Sequence, residues 1–431
     1  MKKLSKLFLA IAGSSTLFTL PLVAAACGQT THPQRPSEFF ADVKKNDTYS
    51  LNQDQINNMG KTAVITDGGD INDISFNQSA WEGVLNFMEQ VKAPIQKYDV
   101  FKVIDGTFQE AYKRALAQGY KYWVLPGFLH QEQIKKFYTE HKEEMKKKGV
   151  RLIAVDFTLE GIADQGMGIS INFKTKEGGF MAGYAAGKFL SQYSNAADRT
   201  ISTFGGGAFP GVTDFNEGFY KGILKWNKEQ TDKNKRITST DGENVHLNSG
   251  FEPKDTMTSV INSVLSKNPK MVLPVAGPAT NATVQNQSFG NKLIVGVNTD
   301  QANTVSKHKD RFFTSILKKI GQSVYDVIAS IITGQVQSNL GEFKDGEKSA
   351  ALEKGVAEGW VGLSKTHLTG EDQAKATEAL EAAKKIFDGL DETHKKWLAG
   401  GYVKAEDTSE TSDIQTRINA LSKAINESAQ A

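Results

Sequence analysis

The chain predicts an α/β protein of two lobes, each built on a parallel sheet. Three observations carry that prediction. From Lys61 to Thr333, short apolar runs rich in β-branched residues alternate with amphipathic helical stretches, the pattern of right-handed βαβ units. The runs are apolar at consecutive positions, as in strands covered on both faces. They are also too many for one small sheet, so the alternation is best divided between two.

The elements follow in order. Strands are predicted at "TAVITD" (62–67), "DVFKVID" (99–105), "YWVLPG" (122–127), "RLIAVDF" (151–157) and "MGISINF" (167–173). Further strands are predicted at "TISTFGG" (200–206), "NVHLNSG" (244–250), "MVLPVAG" (271–277), "LIVGVNTD" (293–300) and "FFTSIL" (312–317). Helices are expected between them at 76–91, 108–119, 130–148, 175–193, 212–229, 254–267 and 318–333. Thr107 and the Pro253–Asp255 turn are plausible helix starts. The tail departs from this rhythm. Residues 370–400 are rich in Ala, Lys and Glu, with Leu380, Ala383, Phe387 and Leu390 near helical spacing, and 413–428 is a second amphipathic candidate.

The N-terminus reads as an address rather than as fold. "MKKLSK" is basic, "LFLAIAGSSTLFTLPLV" is apolar but broken by Gly13, Ser14, Ser15 and Pro21, and "AAAC" ends in the chain's single cysteine, Cys27. That is a secretion signal and not a spanning helix. It resembles a bacterial lipobox, with Ala24 where leucine is usual, so Cys27 is the expected lipidation site. The expected division is a signal over 1–27, a tether over 28–58, a first lobe over 59–172 with 312–345, a second lobe over 173–311, and a C-terminal segment over 346–431 whose helices pack on a lobe. The net charge is +2 over 431 residues, and Lys2, Lys3 and Lys6 of the signal account for that excess. Nothing in the balance points to nucleic acid.

In open α/β sheets ligands bind beyond the carboxyl ends of the strands. That rule selects Asp67, followed by the Gly68–Gly69 turn and by Asp70, Asn72 and Asp73. It selects Asp156, Gly277, Asn298 and Asp300 at later strand ends, and two aromatics, Phe76 and Phe251. Ser75 can cap the helix that Phe76 opens, leaving Asn72 and Asp73 to face outward. Acids, amides and two aromatics at strand ends can bracket a flat ring and bond its polar edge. Other chemistries fit less well. There is no GxxxxGK[ST] phosphate loop, HExxH or GxSxG. "GGGAFPG" (205–211) fails the dinucleotide spacing at Pro210, and scattered histidines with one cysteine argue against zinc. No cofactor is expected.

The stretch "TDGGDINDISFNQSAWEGV" resembles the signature of the basic membrane protein family, the purine-nucleoside-binding lipoproteins of ABC importers. "LIAVDF", "GGFMAGYAAG" (178–187), "DFNEGFYKGI" (214–223), "VAG" (275–277), "VGVNTDQ" (295–301) and "TSILK" (314–318) follow in the family's order. The resemblance implies a type I periplasmic-binding-protein fold with three crossover strands. It implies that Phe76 and Phe251 sandwich a purine, that Asn72, Asp73 and Asp156 bond its edge, and that Gly277, Asn298 and Lys318 hold the ribose. Asp67 and Asn77 would shape the first loop. Two positions depart from the family pattern: Asn298 stands where an aspartate is usual, and Asp70 where a glycine is usual. The implied protein is not an enzyme. It is a monomeric solute-binding lipoprotein on the extracellular face of the cell membrane, handing a nucleoside to ABC permease subunits. The competing reading is a surface adhesin that works through its exposed lobes and tail helices, or a carrier of another small ligand.

Overall fold

The computed structural model describes residues 34–162 and 166–431. The expected signal, with Cys27, lies outside them. The first lobe opens with α1 (Gln53–Asn58), then β1 (Lys61–Ile65), α2 (Phe76–Gln90), β2 (Tyr98–Phe101), α3 (Phe108–Ala117), β3 (Tyr120–Pro126), α4 (His130–Lys147), β4 (Arg151–Val155) and β5 (Gly168–Phe173). The chain then builds α5 (Thr175–Leu190), β6 (Thr200–Gly205), α6 (Pro210–Glu229), β7 (Thr238–Ser239), α7 (Asp255–Ser266), β8 (Met271–Val275), α8 (Ala279–Gln285), β9 (Leu293–Asn298) and β10 (Phe312–Lys318). It returns through α9 (Ile320–Thr333) and β11 (Ala350–Lys354), crosses to β12 (Val361–Leu363), and ends in α10 (Glu371–Asp388), α11 (Glu392–Ala399) and α12 (Ile414–Gln430).

Two six-stranded sheets result, in the orders β11-β5-β4-β3-β1-β2 and β12-β10-β9-β8-β6-β7. Only β12 runs antiparallel to its neighbour. The orders superpose strand for strand, so β4 and β9 are counterparts, as are β3 and β8, and β1 and β6. The chain passes between lobes after β5, after β10 and after β11. Each sheet is covered on both faces: the first by α2 and α9 on one side and by α3 and α4 on the other, the second by α5 and α6 and by α7 and α8. That double burial explains why the strands read as unbroken apolar runs.

Several expectations require correction. The strand predicted at 312–317, assigned with 312–345 to the first lobe, is β10 and pairs with β9 in the second sheet; only the following helix packs on the first. The C-terminal segment has its expected helices, preceded by two strands that the sequence does not predict, β11 closing the edge of one sheet and β12 the edge of the other. Residues 244–250 form no strand. Their backbone instead touches the end of β6 through bonds such as Gly205 N–H to His246 O at 2.8 Å, and the strand beside β6 is the two-residue β7.

Part of the expected tether is folded against the first lobe. The Trp81 indole donates to Gln34 O at 2.7 Å, Gln78 Nε2 donates to Glu38 O at 2.7 Å, and Lys44 N–H donates to Gln322 Oε1 at 2.7 Å. The fully buried Glu82 carboxylate accepts the Phe40 N–H at 3.0 Å and the Ala41 N–H at 2.5 Å. Glu82→Ala leaves those amides without their acceptor. It should lower unfolding stability by about 1–3 kcal/mol, read from denaturant midpoints.

The tail helices dock on the second lobe, α10 against α5 and α12 against α6. A buried ion cluster fixes them. Lys221 Nζ donates to Glu217 at 2.6 Å and to the carbonyls of Trp397 and Gly400 at 2.7 and 2.8 Å, while Arg417 Nε meets the other Glu217 oxygen at 3.0 Å. Among the described residues no helix is long and apolar enough to cross a membrane.

Candidate functional site

A cavity of about 610 Å³ lies between the carboxyl ends of the two sheets. The first lobe contributes Asp67, Ser75, Phe76, Phe128, Leu129 and Asp156. The second contributes Phe209, Phe215, Phe251, Gly277, Asn298 and Lys318, among others. Of the residues predicted from sequence, Asp67, Phe76, Asp156, Phe251, Gly277, Asn298 and Lys318 therefore converge on one space. Asn72, Asp73, Asn77 and Asp300 do not line it.

The loop after β1 shows why. Asp73, expected to face outward, is the helix cap. Its Oδ1 accepts the Ser75 and Gln78 amides at 2.8 and 3.1 Å, and its Oδ2 accepts the Asn77 amide at 3.2 Å. Ser75 makes no capping bond. A carboxylate is well suited to the positive end of a helix. Asn77 lies behind the cavity wall. Its Nδ2 donates to Asp67 at 2.8 Å and to Asp73 at 2.8 Å, and its Oδ1 accepts the Asp67 N–H at 3.0 Å. Burial raises the Asp67 carboxyl pKa, and the Asn77 bond opposes that rise. Asn72 is turned to the N-terminal segment, accepting the Ser37 N–H at 2.7 Å. Asp70 is exposed and neutralised by Lys102 at 2.6 Å, which holds its carboxyl below the usual range. It therefore puts no free charge at the cavity.

The polar centre is an ion pair across the lobes. Lys318, at the end of β10 and almost wholly buried, donates to both Asp156 oxygens at 2.8 and 2.9 Å and to Gly211 O at 3.2 Å. Burial pushes the Asp156 carboxyl up, and the Lys318 charge pulls it back. Asp156 ends β4 and Asn298 ends its counterpart β9. Both sit in the left-handed region, at φ 66° and 67°, where Asp and Asn are the non-glycine residues best tolerated. The same strained turn thus aims one polar side chain from each lobe into the cavity. Asn298 Oδ1 is buried and has no hydrogen-bond partner among the described residues, an unmet acceptor in the cavity wall that a ligand reaches once the amide shifts toward it. Asp300, two residues on, points away and pairs with His367 at 2.8 Å.

Three cavity aromatics, Phe128, Phe209 and Phe215, are not among the residues predicted from sequence. Phe209 precedes α6 as Phe76 opens α2, and Phe128 follows β3. Both lie just past strand ends, where the rule used for the other residues would have found them. Phe251 is in ring contact with both, its centroid 5.5 Å from Phe128 and 5.9 Å from Phe209. The glycine run of "GGGAFPG" makes that possible. A Cβ on Gly206 would lie 2.6 Å from the Phe251 ring, and one on Gly207 2.6 Å from the Phe209 ring. The run is a seat for aromatic rings rather than a phosphate turn.

A family model described as "ABC transporter substrate-binding protein PnrA-like" (Bmp) matches residues 61–390. The "CD4+ T-cell-stimulating antigen" of Listeria innocua is 25% identical over 391 residues, covering 87% of this chain and 95% of that protein. The "ABC transporter nucleoside-binding protein BmpA" of Lactococcus lactis is 30% identical over 166 residues, 38% of this chain and 42% of that one. Among solved structures, a solute-binding protein of an ABC transporter system from Aeropyrum pernix superposes with a TM-score of 0.53 at 17% identity, covering 79% of this chain and 89% of that one. Another from Conexibacter woesei reaches 0.50 at 17%, covering 77% and 98%. The paired sheets and their three crossings are the type I periplasmic-binding-protein fold. The chain belongs to the Bmp family, the PnrA-like substrate-binding proteins of ABC transporters.

Proposed function

We propose that the chain captures a nucleoside, specifically a purine nucleoside, between its lobes and delivers it to an ABC permease, tethered outside the membrane through lipidated Cys27. The observation that carries this reading is the cavity itself. It sets phenylalanine faces from both lobes around a polar end formed by Asp156, Lys318 and the unpartnered Asn298 oxygen. An aromatic base needs ring faces and an edge reader, and a ribose needs acceptors for its hydroxyls. In this reading Phe76 and Phe251 stack on the base, Asp67 and Asp156 meet its edge, and Gly277, Asn298 and Lys318 hold the sugar. Asn72, Asp73 and Asn77 act one step back by fixing the loop, and Asp300 by holding the turn after β9. The relative from Lactococcus lactis, named as nucleoside-binding, supports the ligand class. The protein acts by binding and closing, and no bond is made or broken.

The charges also favour a nucleoside over a nucleotide. Lys318 is committed to Asp156, and Lys254 lies in solvent at the rim beside Glu252. Asp67 adds a further acid to the cavity wall. A phosphate at the polar end would find its buried cation, Lys318, already paired and would lie near Asp67 and Asp156. Titration calorimetry with guanosine, inosine, adenosine and guanosine monophosphate tests both statements. The nucleosides should bind and the monophosphate should bind far more weakly. Phe76→Ala should lose roughly tenfold or more in affinity, since stacking contributes about 1–3 kcal/mol per base. Equal affinity of Phe76→Ala and wild type would remove Phe76 from the site.

A further inference from the structure

Among the described residues few large apolar side chains are left in solvent, and three of them, Phe128, Leu129 and Phe251, meet at the mouth of the cavity. Phe128 is the one whose position needs a cause. It follows Gly127, which stands at φ +101° at the end of β3. A Cβ there would lie 2.5 Å from the Asp67 carboxylate, so only glycine allows the turn while Asp67 keeps its place. The turn delivers the Phe128 ring out of the first lobe and onto the second. Its centroid is 5.3 Å from Phe209 and 5.5 Å from Phe251, tilted by 56° to each. Even so, 37% of its surface stays exposed, so the ring is not there to fill a core.

We infer that Phe128 is a ligand-retaining residue, a cross-cleft latch that closes the mouth by resting on Phe209 and Phe251 and so sets how fast a bound ligand leaves. This rests on the nucleoside reading for its ligand but not for its contact. Among the described residues the lobes also meet across the cleft at Lys318 on Asp156 and at Thr299 Oγ1 on Ile74 O, 2.9 Å apart. Asp156 ends β4, next to the crossover strand β5, whereas Phe128 follows β3, one strand further from the crossings. The aromatic contact therefore acts on a longer lever than the ion pair. An apolar aromatic contact is non-directional enough to break and remake as the lobes move. Phe251 is shared between the latch and the stacking wall, so closing the mouth and bracketing a ring become one event.

The test is stopped-flow dissociation of guanosine from wild type, Phe128→Ala and Phe128→Tyr, with small-angle scattering of each protein free of ligand. Phe128→Ala should release guanosine faster by at least the roughly 2–10-fold expected for each of the two aromatic pairs it loses, and Phe128→Tyr should stay near wild type. Free Phe128→Ala should also scatter as a more open particle. A dissociation rate for Phe128→Ala equal to or below that of wild type would overturn the latch. If wild type binds no nucleoside, the proposed function fails, and scattering alone decides the latch. A larger radius of gyration for Phe128→Ala would uphold it, and superposable profiles would refute it.

Discussion

Gly183→Ala should lower unfolding stability by about 3 kcal/mol or more, the upper part of the range for overpacking. Helices α5 and α6 cross on their backbones. Gly179, Gly183 and Gly187 recur every four residues on α5; Gly179 and Gly183 meet Gly218 and Gly222 on α6, and Gly187 meets Trp226. A Cβ on Gly183 would lie 2.0 Å from Phe219 O, and one on Gly222 would lie 2.1 Å from Phe180 O. These neighbours are helix backbone and cannot swing aside, so a single methyl must push the helices apart. The first two turns of α6 carry Gly211, Val212 and Phe215 into the cavity, so binding should weaken with the fold. Gly277→Ala is the matched control. A Cβ there meets nothing within 4 Å and would project toward the cavity. Its melting temperature should equal that of wild type while nucleoside affinity falls. Thermal scans and calorimetry on the two variants separate packing from ligand contact.

Lys318→Met should be the most damaging change in the cavity. It leaves the Asp156 carboxylate buried without its counter-charge, and breaking a buried pair on one side costs about 3–5 kcal/mol. Asp156→Asn in the same chain should recover most of that loss, because no charge is then left uncompensated. The sign of the pH dependence follows from Asp156. Burial already raises its pKa in the folded protein, and the opposing pull of Lys318 is absent in the variant. An acid whose folded pKa lies above its unfolded value favours folding most when protonated. Lys318→Met should therefore be most stable at acidic pH and lose stability as pH rises through the carboxylate range. The double variant should lack that slope. Denaturant unfolding of the three proteins across that range measures it.

The sheets were legible because burial on both faces writes itself into sequence. "TAVIT", "RLIAV" and "LIVGV" can hardly be other than covered strands. What escaped was held by other means. β11, "AALEK", has polar and exposed positions because it closes an edge, and β12 is only three residues long. Residues 244–250 have strand composition, yet the sheet edge beside β6 is taken by β7. The N-terminal segment reads as a tether because it is polar, but its backbone amides and carbonyls dock it together with the buried Tyr49, and backbone groups leave no composition signal. In the site, the strand-end rule located Asp67, Asp156, Gly277 and Asn298. It could not distinguish a residue that faces the ligand from one that braces the loop. Asp73 and Asn77 have the right chemistry for base recognition but are consumed by the helix start and by Asp67. Asp300 is claimed by His367, which lies 67 positions away and could not be anticipated locally.

The central claim is that the cleft holds a nucleoside. Native mass spectrometry of the protein purified without added ligand, followed by release under denaturing conditions, tests it most directly. The account predicts one small molecule per chain whose mass and fragmentation give a purine base and an unphosphorylated pentose. Release of a free sugar, an amino acid or a phosphorylated nucleotide, with purine nucleosides unable to displace it, would contradict it.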